Sequence, residues 1–227
     1  MALSRRQFIE ASAATGVVAA VSSPLIAAVT RDAQVAPVPS PAAALTVPAR
    51  PRIMVDPTVD PRIVARARAA FDRHRHQITH GDVVGIADFT RASRDDRFFL
   101  LDTNTGRVSR HLVSHGRGSD PSHTGFLHHF SNQFGSEASS SGSYLTRNYY
   151  HGKYGRSMRV RGLDPTNNNA EARAIVVHTA WYAEPNVAQE TGRLGRSEGC
   201  FALPHRSLQE VLARLGPGRF LYADRLA

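Results

Sequence analysis

Short strands in antiparallel succession, framed by one helix before them and one near their end, are what this sequence predicts, and three observations carry that reading. Asp60-Pro61 is an N-cap and first-turn signal, and Ile63, Ala67, Ala70 and Phe71 then fall on one helical face. The runs 98–102 and 108–113 are apolar or alternating and are joined by Asn104-Thr105-Gly106, a hairpin turn. Ser207 and Glu210 have capping-box spacing, Leu208, Val211, Leu212 and Leu215 supply an apolar face, and Gly216-Pro217 stops the helix.

Each element takes its place in order. The twin-arginine pair in Ser4-Arg5-Arg6-Gln7-Phe8-Ile9 precedes a stretch, 11–30, that carries no charge. Ser, Thr, Gly and Pro dilute that stretch too much for a membrane span, so residues 1–30 read as a Tat-type export signal handled by the twin-arginine machinery. Small residues near Ala27 and Ala28 offer a cleavage site, which starts the mature protein in the region 27–36 with no stable membrane anchor. Residues 31–60 are rich in Pro and Ala without a period, which reads as an extended linker. The catalytic or binding domain is then 61–227. Its helix runs to about His74, and strands are expected at 83–89, 98–102 and 108–113. Residues 115–143 form a loop dense in Gly, Ser and His, well beyond the usual loop length, and such loops are functional or disordered. Strand character returns at Tyr144, peaks at Ala174-Ile175-Val176-Val177, and closes at 220–223.

Composition bounds the chemistry. Among 227 residues there are 28 Lys and Arg against 19 Asp and Glu, a formal charge of +9. Twenty-seven of the 28 cations are Arg, scattered without the clustered stripe of a nucleic-acid reader, and export removes that partner in any case. A hydrophobic fraction of 41% with 21% charged residues supports a packed core and excludes disorder throughout. The single cysteine, Cys200, excludes an internal disulfide framework and a four-thiolate zinc site. An unpaired cysteine kept in a periplasmic or extracellular setting is at risk of oxidation, so its retention asks for a chemical reason.

Two local features carry candidate chemistry. An apolar strand ends in His178-Thr179, and a Gly-rich turn, Gly195-Arg196-Ser197-Glu198-Gly199-Cys200, leads into Phe201-Ala202-Leu203. A strand-end histidine is held by the sheet, and a cysteine beside Gly199 lets substrate approach the backbone closely. Imidazole is the usual activator of a thiol nucleophile. The structural alternatives are a buried inert thiol for Cys200 and a strand-end histidine with one backbone hydrogen bond for His178.

These pieces, with Phe99-Leu100-Leu101-Asp102-Thr103-Asn104-Thr105-Gly106, His115-Gly116-Arg117-Gly118-Ser119, Phe130-Ser131-Asn132, Ser139-Ser140-Ser141-Gly142-Ser143-Tyr144 and Tyr150-His151-Gly152-Lys153-Tyr154-Gly155, follow one another in an order and spacing that resembles the murein L,D-transpeptidase catalytic domain family, YkuD-like, in its divergent branch. The resemblance implies a mostly β, sandwich-like fold with an N-terminal helix and a short helix after the cysteine. It makes Cys200 the nucleophile, His178 its base, and the Thr179 carbonyl the group that orients the imidazole. The amides of Gly199 and Cys200 would hold the oxyanion, and Arg196, Ser197, His115, Ser131, Gly142 and Tyr144 would meet the substrate. It further implies that no cofactor is needed. The family's reaction is acylation by a peptidoglycan tetrapeptide stem with loss of D-alanine, the acyl group passing to an amine, giving a 3→3 cross-link, or to water. Carbapenem β-lactams acylate the family's cysteine. Glu198 stands where the commoner form of the family has a second histidine, and its charge should raise the thiol pKa unless an arginine neutralises it.

Two other readings remain open at this point. A zinc hydrolase would draw ligands from His111, His115, His123, His128 or His129, although no HExxH or comparable spacing is present. A non-catalytic wall-binding module would use the positive charge to hold anionic polymers, and would be indifferent to Cys200.

Overall fold

The computed structural model describes residues 57–227, so the export signal, the cleavage region and nearly all of the linker expected from the sequence lie outside the described residues. The first helix, α1 (Pro61–His74), begins and ends where the sequence places it. The Asp60 carboxylate accepts the Arg62 backbone N–H at 2.8 Å, satisfying one of the amides a helix start leaves free. Ile63, Val64, Ala67, Ala70 and Phe71 are its buried face.

Strands β1 (Val83–Asp88), β2 (Phe98–Asp102) and β3 (Val108–His111) form an antiparallel meander. At the β2–β3 turn the Asp102 carboxylate takes the amides of Asn104 and Thr105, and Gly106 supplies the positive φ of 73° that the turn requires. The chain then runs through a long loop to β4 (Gly142–Gly152), turns at Lys153-Tyr154 into β5 (Gly155–Gly162), and reaches β6 (Val176–Thr179). After α2 (Pro185–Thr191) come β7 (Phe201–Leu203), α3 (His205–Leu215) and β8 (Phe220–Asp224).

All eight strands belong to one sheet in the order β3-β2-β1-β8-β4-β5-β6-β7. The sheet curls until its ends meet: Ser114, just past β3, donates its N–H to the Ala202 carbonyl in β7 at 2.8 Å. Phe89, beyond β1, stacks on Phe201 of β7. The sandwich-like layering is therefore made by two halves of one curled sheet facing each other. Apolar side chains cover both faces of its first half, which explains the unbroken Phe98-Phe99-Leu100-Leu101 run. Phe98 and Leu100 enter the main core with Tyr144, Met158, Val177 and Phe201, sealed by Leu208, Val211, Leu212 and Leu215 of α3. Phe99 and Leu101 enter a second core under α1, where Phe71 meets Phe220 edge-on.

The long loop is built rather than slack. Arg97, fully buried, donates from Nε and Nη2 to the Val113 carbonyl and from Nη1 to the Arg91 carbonyl, with Nη2 also reaching His115 Nδ1 at 2.9 Å. The Asp120 carboxylate, also without exposure, takes the amides of Thr124 and Gly125, and Ser119 Oγ takes the Ser139 amide. The polar residues that make the segment look like a solvated loop are spent on its own backbone.

Three sequence expectations differ from the structure. The strand expected from Ala174 starts at Val176, because Ala174 holds a φ of 57° in a turn. Neither β5 nor α2 stands out in the sequence: β5 alternates Arg156, Arg159 and Arg161 with Ser157, Met158 and Val160, and α2 is only seven residues long. Ser207 does not cap α3, which begins two residues earlier after Pro204. The cap comes from another element, the Glu184 carboxylate at the foot of α2, which accepts the His205 amide at 2.7 Å, while Glu210 pairs with Arg214. Accordingly Glu184→Ala lowers unfolding free energy by about 1 kcal/mol in denaturant titration, and Ser207→Ala costs clearly less. Equal losses would return the cap to Ser207.

Candidate active site

The parallel pairing of β6 with β7 sets His178 opposite Ala202, so the histidine sits within two residues of register of Cys200 at the mouth of β7. His178 is buried, and its Nδ1 lies 2.7 Å from the carbonyl oxygen of Thr179. A carbonyl can only accept, so Nδ1 carries the proton and Nε2 of the neutral ring keeps its lone pair. Burial holds the imidazole below its ordinary pKa; the Thr179 carbonyl opposes this, and the Lys153 charge reinforces it. Tyr154 lies flat against the ring, centroids 4.2 Å apart.

The turn bearing Cys200 is pinned from two sides. Ser197 donates its amide to the His115 carbonyl at 2.9 Å and accepts the Arg117 amide at 2.7 Å. Its hydroxyl donates to the Cys200 carbonyl at 2.7 Å and accepts the Gly199 amide at 3.2 Å. Gly199 has a φ of 106°, and a Cβ there would stand 2.7 Å from the Ala138 carbonyl oxygen, so the close approach of the long loop requires glycine. The half-buried thiol points at the Ala174 carbonyl oxygen, 3.7 Å away. Burial pushes the Cys200 pKa up to about 11; the Val176 amide draws it down, Glu198 raises it, and Arg173 and Lys153 lower it. At neutral pH these directions leave thiol and imidazole both uncharged.

Cys200 and His178 open into one cleft of about 740 Å³, shared with Lys153, Tyr154, Arg173 and Glu198. Its arginines are engaged. Arg117 pairs tightly with Glu137 and reaches Glu198 at 3.6 Å, the neutralisation the sequence left open. Arg173 donates to the carbonyls of Ser131 and Ala138 at 2.8 and 2.6 Å and to Ser136 Oγ. Arg196 braces the long loop through the carbonyls of Asp120 and Pro121.

That changes several expected contacts. Arg196 lines the cleft but its Nη1 is committed to loop carbonyls, and Ser197 clamps the turn from a buried position. His115 is buried between Arg97 and Asp120; Tyr144 is buried with its hydroxyl on Ser140 and its ring against Phe201. Gly142 opens β4 against Asp164, Thr166 and Asn167, and Ser131 receives Arg173 on its carbonyl. None of these four is among the residues that line the cleft, because each packs against other segments instead, which spacing does not reveal. Of the two expected oxyanion donors, the Gly199 amide is turned to Ser197 Oγ at 3.2 Å. Lys153 and Tyr154 join the cleft from a hairpin tip, and their place between Gly152 and Gly155 is the signal of them in the sequence. The five candidate histidines do not gather at one point: His111, in β3, meets Ser109, His123 meets the Leu194 carbonyl, and only His115 and His128 share a partner, reaching the two oxygens of Asp120 at 3.3 and 3.6 Å. Among the described residues no three His, Cys, Asp or Glu side chains form a metal-ligand group.

A family model described as the L,D-transpeptidase catalytic domain matches residues 55–223. Among solved structures the chain is similar to an L,D-transpeptidase from Mycobacterium smegmatis, at 15% identity over 63% of this chain and 58% of that one, with a TM-score of 0.39. An L,D-transpeptidase from Mycobacterium tuberculosis H37Rv gives 16% identity, 63% and 57% coverage, and a TM-score of 0.40. One from Xylanimonas cellulosilytica gives 14% identity, 70% and 69% coverage, and a TM-score of 0.38. The chain thus spans less than two thirds of the two mycobacterial structures. No curated protein matches it.

Glu198 is half of an imperfect charge balance beside the thiol. Replacing it in Glu198→Gln moves the midpoint of Cys200 alkylation against pH downward by about half a pH unit. A midpoint that stays or rises would contradict the assigned effect of the carboxylate.

Proposed function

The chain belongs to the L,D-transpeptidase catalytic domain family, and on that premise we propose that it is an exported cysteine acyltransferase acting on peptidoglycan stem peptides. The observation that carries the reading is the His178 tautomer: Nδ1–H is held by the Thr179 carbonyl, so Nε2 is the free base in the cleft that Cys200 also lines.

With both groups neutral at rest, Nε2 takes the Sγ proton as sulfur attacks the carbonyl of the stem's third, diamino-acid residue. The Cys200 amide faces the developing oxyanion. Collapse breaks the C–N bond, and the imidazolium returns its proton to the departing D-alanine amine, leaving a thioester on Sγ. An incoming amine then attacks the thioester and gives up a proton through Nε2, which restores the thiol and yields a 3→3 cross-link. Water in the same place yields a tripeptide. No step asks for a metal or an organic cofactor.

Disaccharide-tetrapeptide incubated with wild-type protein loses D-alanine by mass spectrometry, with a cross-linked dimer or a tripeptide as product. Cys200→Ala abolishes this and His178→Ala lowers the rate by about 10²-fold or more. The base works only when neutral, and its pKa lies below the ordinary 6.5, so the acid limb of kcat/KM falls below pH 6.5. No turnover by folded protein with a free thiol, or function that survives Cys200→Ala, would favour a wall-binding module instead.

A further inference from the structure

The geometry points to Lys153 as the specificity residue that binds the carboxylate of the residue leaving the acyl donor. It is the only lysine in a chain that otherwise uses 27 arginines, and it stands in the catalytic cleft. The cleft's three arginines are each tied to carbonyls or carboxylates, as described above. Among the described residues no carboxylate lies within ion-pair distance of Lys153; its Nζ sits 4.8 Å over the ring of Tyr154 instead. A side-chain hydrogen bond to Tyr154 and, more distantly, the Glu198 carboxylate hold the ammonium's pKa above its ordinary value.

Placement assigns the side of the cleft. Lys153 and Tyr154 are the two residues between β4 and β5, and Tyr154 covers the face of His178. His178 hands a proton to the departing amine, so the hairpin tip overhangs the leaving group. In a stem ending in D-alanine the terminal carboxylate is two bonds from that amine, within reach of a side chain beside the imidazole. A lysine suits this position because a compact ammonium on a flexible stem follows a carboxylate as the bond breaks, whereas a planar guanidinium would compete for the Tyr154 face. The consequence is a preference for chain ends over internal peptide bonds. The identity of the leaving residue rests on the proposed function; the anion-binding role of Lys153 does not.

The sole cysteine makes an independent test possible. Cys200 alkylation rates with iodoacetate, an anion, and iodoacetamide, a neutral isostere, are compared at one pH, so the thiolate fraction cancels in their ratio. In Lys153→Gln the iodoacetate:iodoacetamide ratio falls about two- to five-fold relative to wild type, as expected of one solvent-exposed charge pair. Lys153→Arg, which keeps the charge but stacks on Tyr154, lowers the ratio less than Lys153→Gln, and a structural role for the lysine would move both rates together. Tetrapeptide with a free D-alanine carboxylate is then compared with its C-terminal amide: wild type shows a higher KM for the amide, and Lys153→Gln treats the two alike. An unchanged alkylation ratio in Lys153→Gln overturns the assignment. A fallen ratio without turnover of either peptide supports the anion site and counts against the peptidoglycan reading.

Discussion

The hydrogen bond from His178 Nδ1 to the carbonyl of its own neighbour, Thr179, is the interaction on which the site depends. A histidine next to a thiol is useful as a base only if the nitrogen facing the thiol lacks a proton. Here the backbone performs the orienting task that a carboxylate performs in a charged triad. Because the acceptor is a neutral carbonyl at the end of β6, its position is set by the parallel ladder with β7, the same ladder that delivers Cys200. One piece of sheet therefore positions the proposed nucleophile, its base and the orienting group together.

Behind that ladder lies a second, buried layer that holds the cysteine turn. Arg97 donates to His115 Nδ1, so the neutral His115 ring must carry its proton on Nε2 and donate it to Asp120 at 3.3 Å. Burial, with the Arg97 charge, pushes the His115 pKa down to about 3, and burial lowers that of Arg97 to about 9. A charged guanidinium in the core is costly unless its donors are met, and here backbone carbonyls meet most of them. The segment from His115 to Arg117 that this layer secures is the one that pairs with Ser197. Polar residues that never touch the cleft thus decide where its sulfur sits.

The division between what was legible and what was not follows from the range of the interactions. α1, the β2–β3 hairpin and the apolar face of α3 are written in local spacing, and each lies where its residues suggest. Cys200, His178 and Thr179 were legible because short motifs on two adjacent strands carry them. The α3 cap was misread because its carboxylate, Glu184, comes from another element. The places of His115, Ser131, Gly142 and Tyr144 outside the cleft lining were illegible for a related reason: what packs against them, Arg97, Arg173, Asn167 and Phe201, comes from other segments, which local spacing does not reveal. Lys153 shows the converse. Its rarity was visible in composition, and only the stacking of Tyr154 on His178 gave that rarity a location.

The most direct measurement is the tautomer and titration of His178, read by long-range proton–nitrogen correlation on nitrogen-15 labelled protein with His178→Ala for assignment. The account predicts a neutral ring at pH 7, protonated on Nδ1 with Nε2 bare, and a pKa below the ordinary 6.5. A ring protonated on Nε2, or an imidazolium at neutral pH, would contradict it, because no free base would then face the Cys200 thiol.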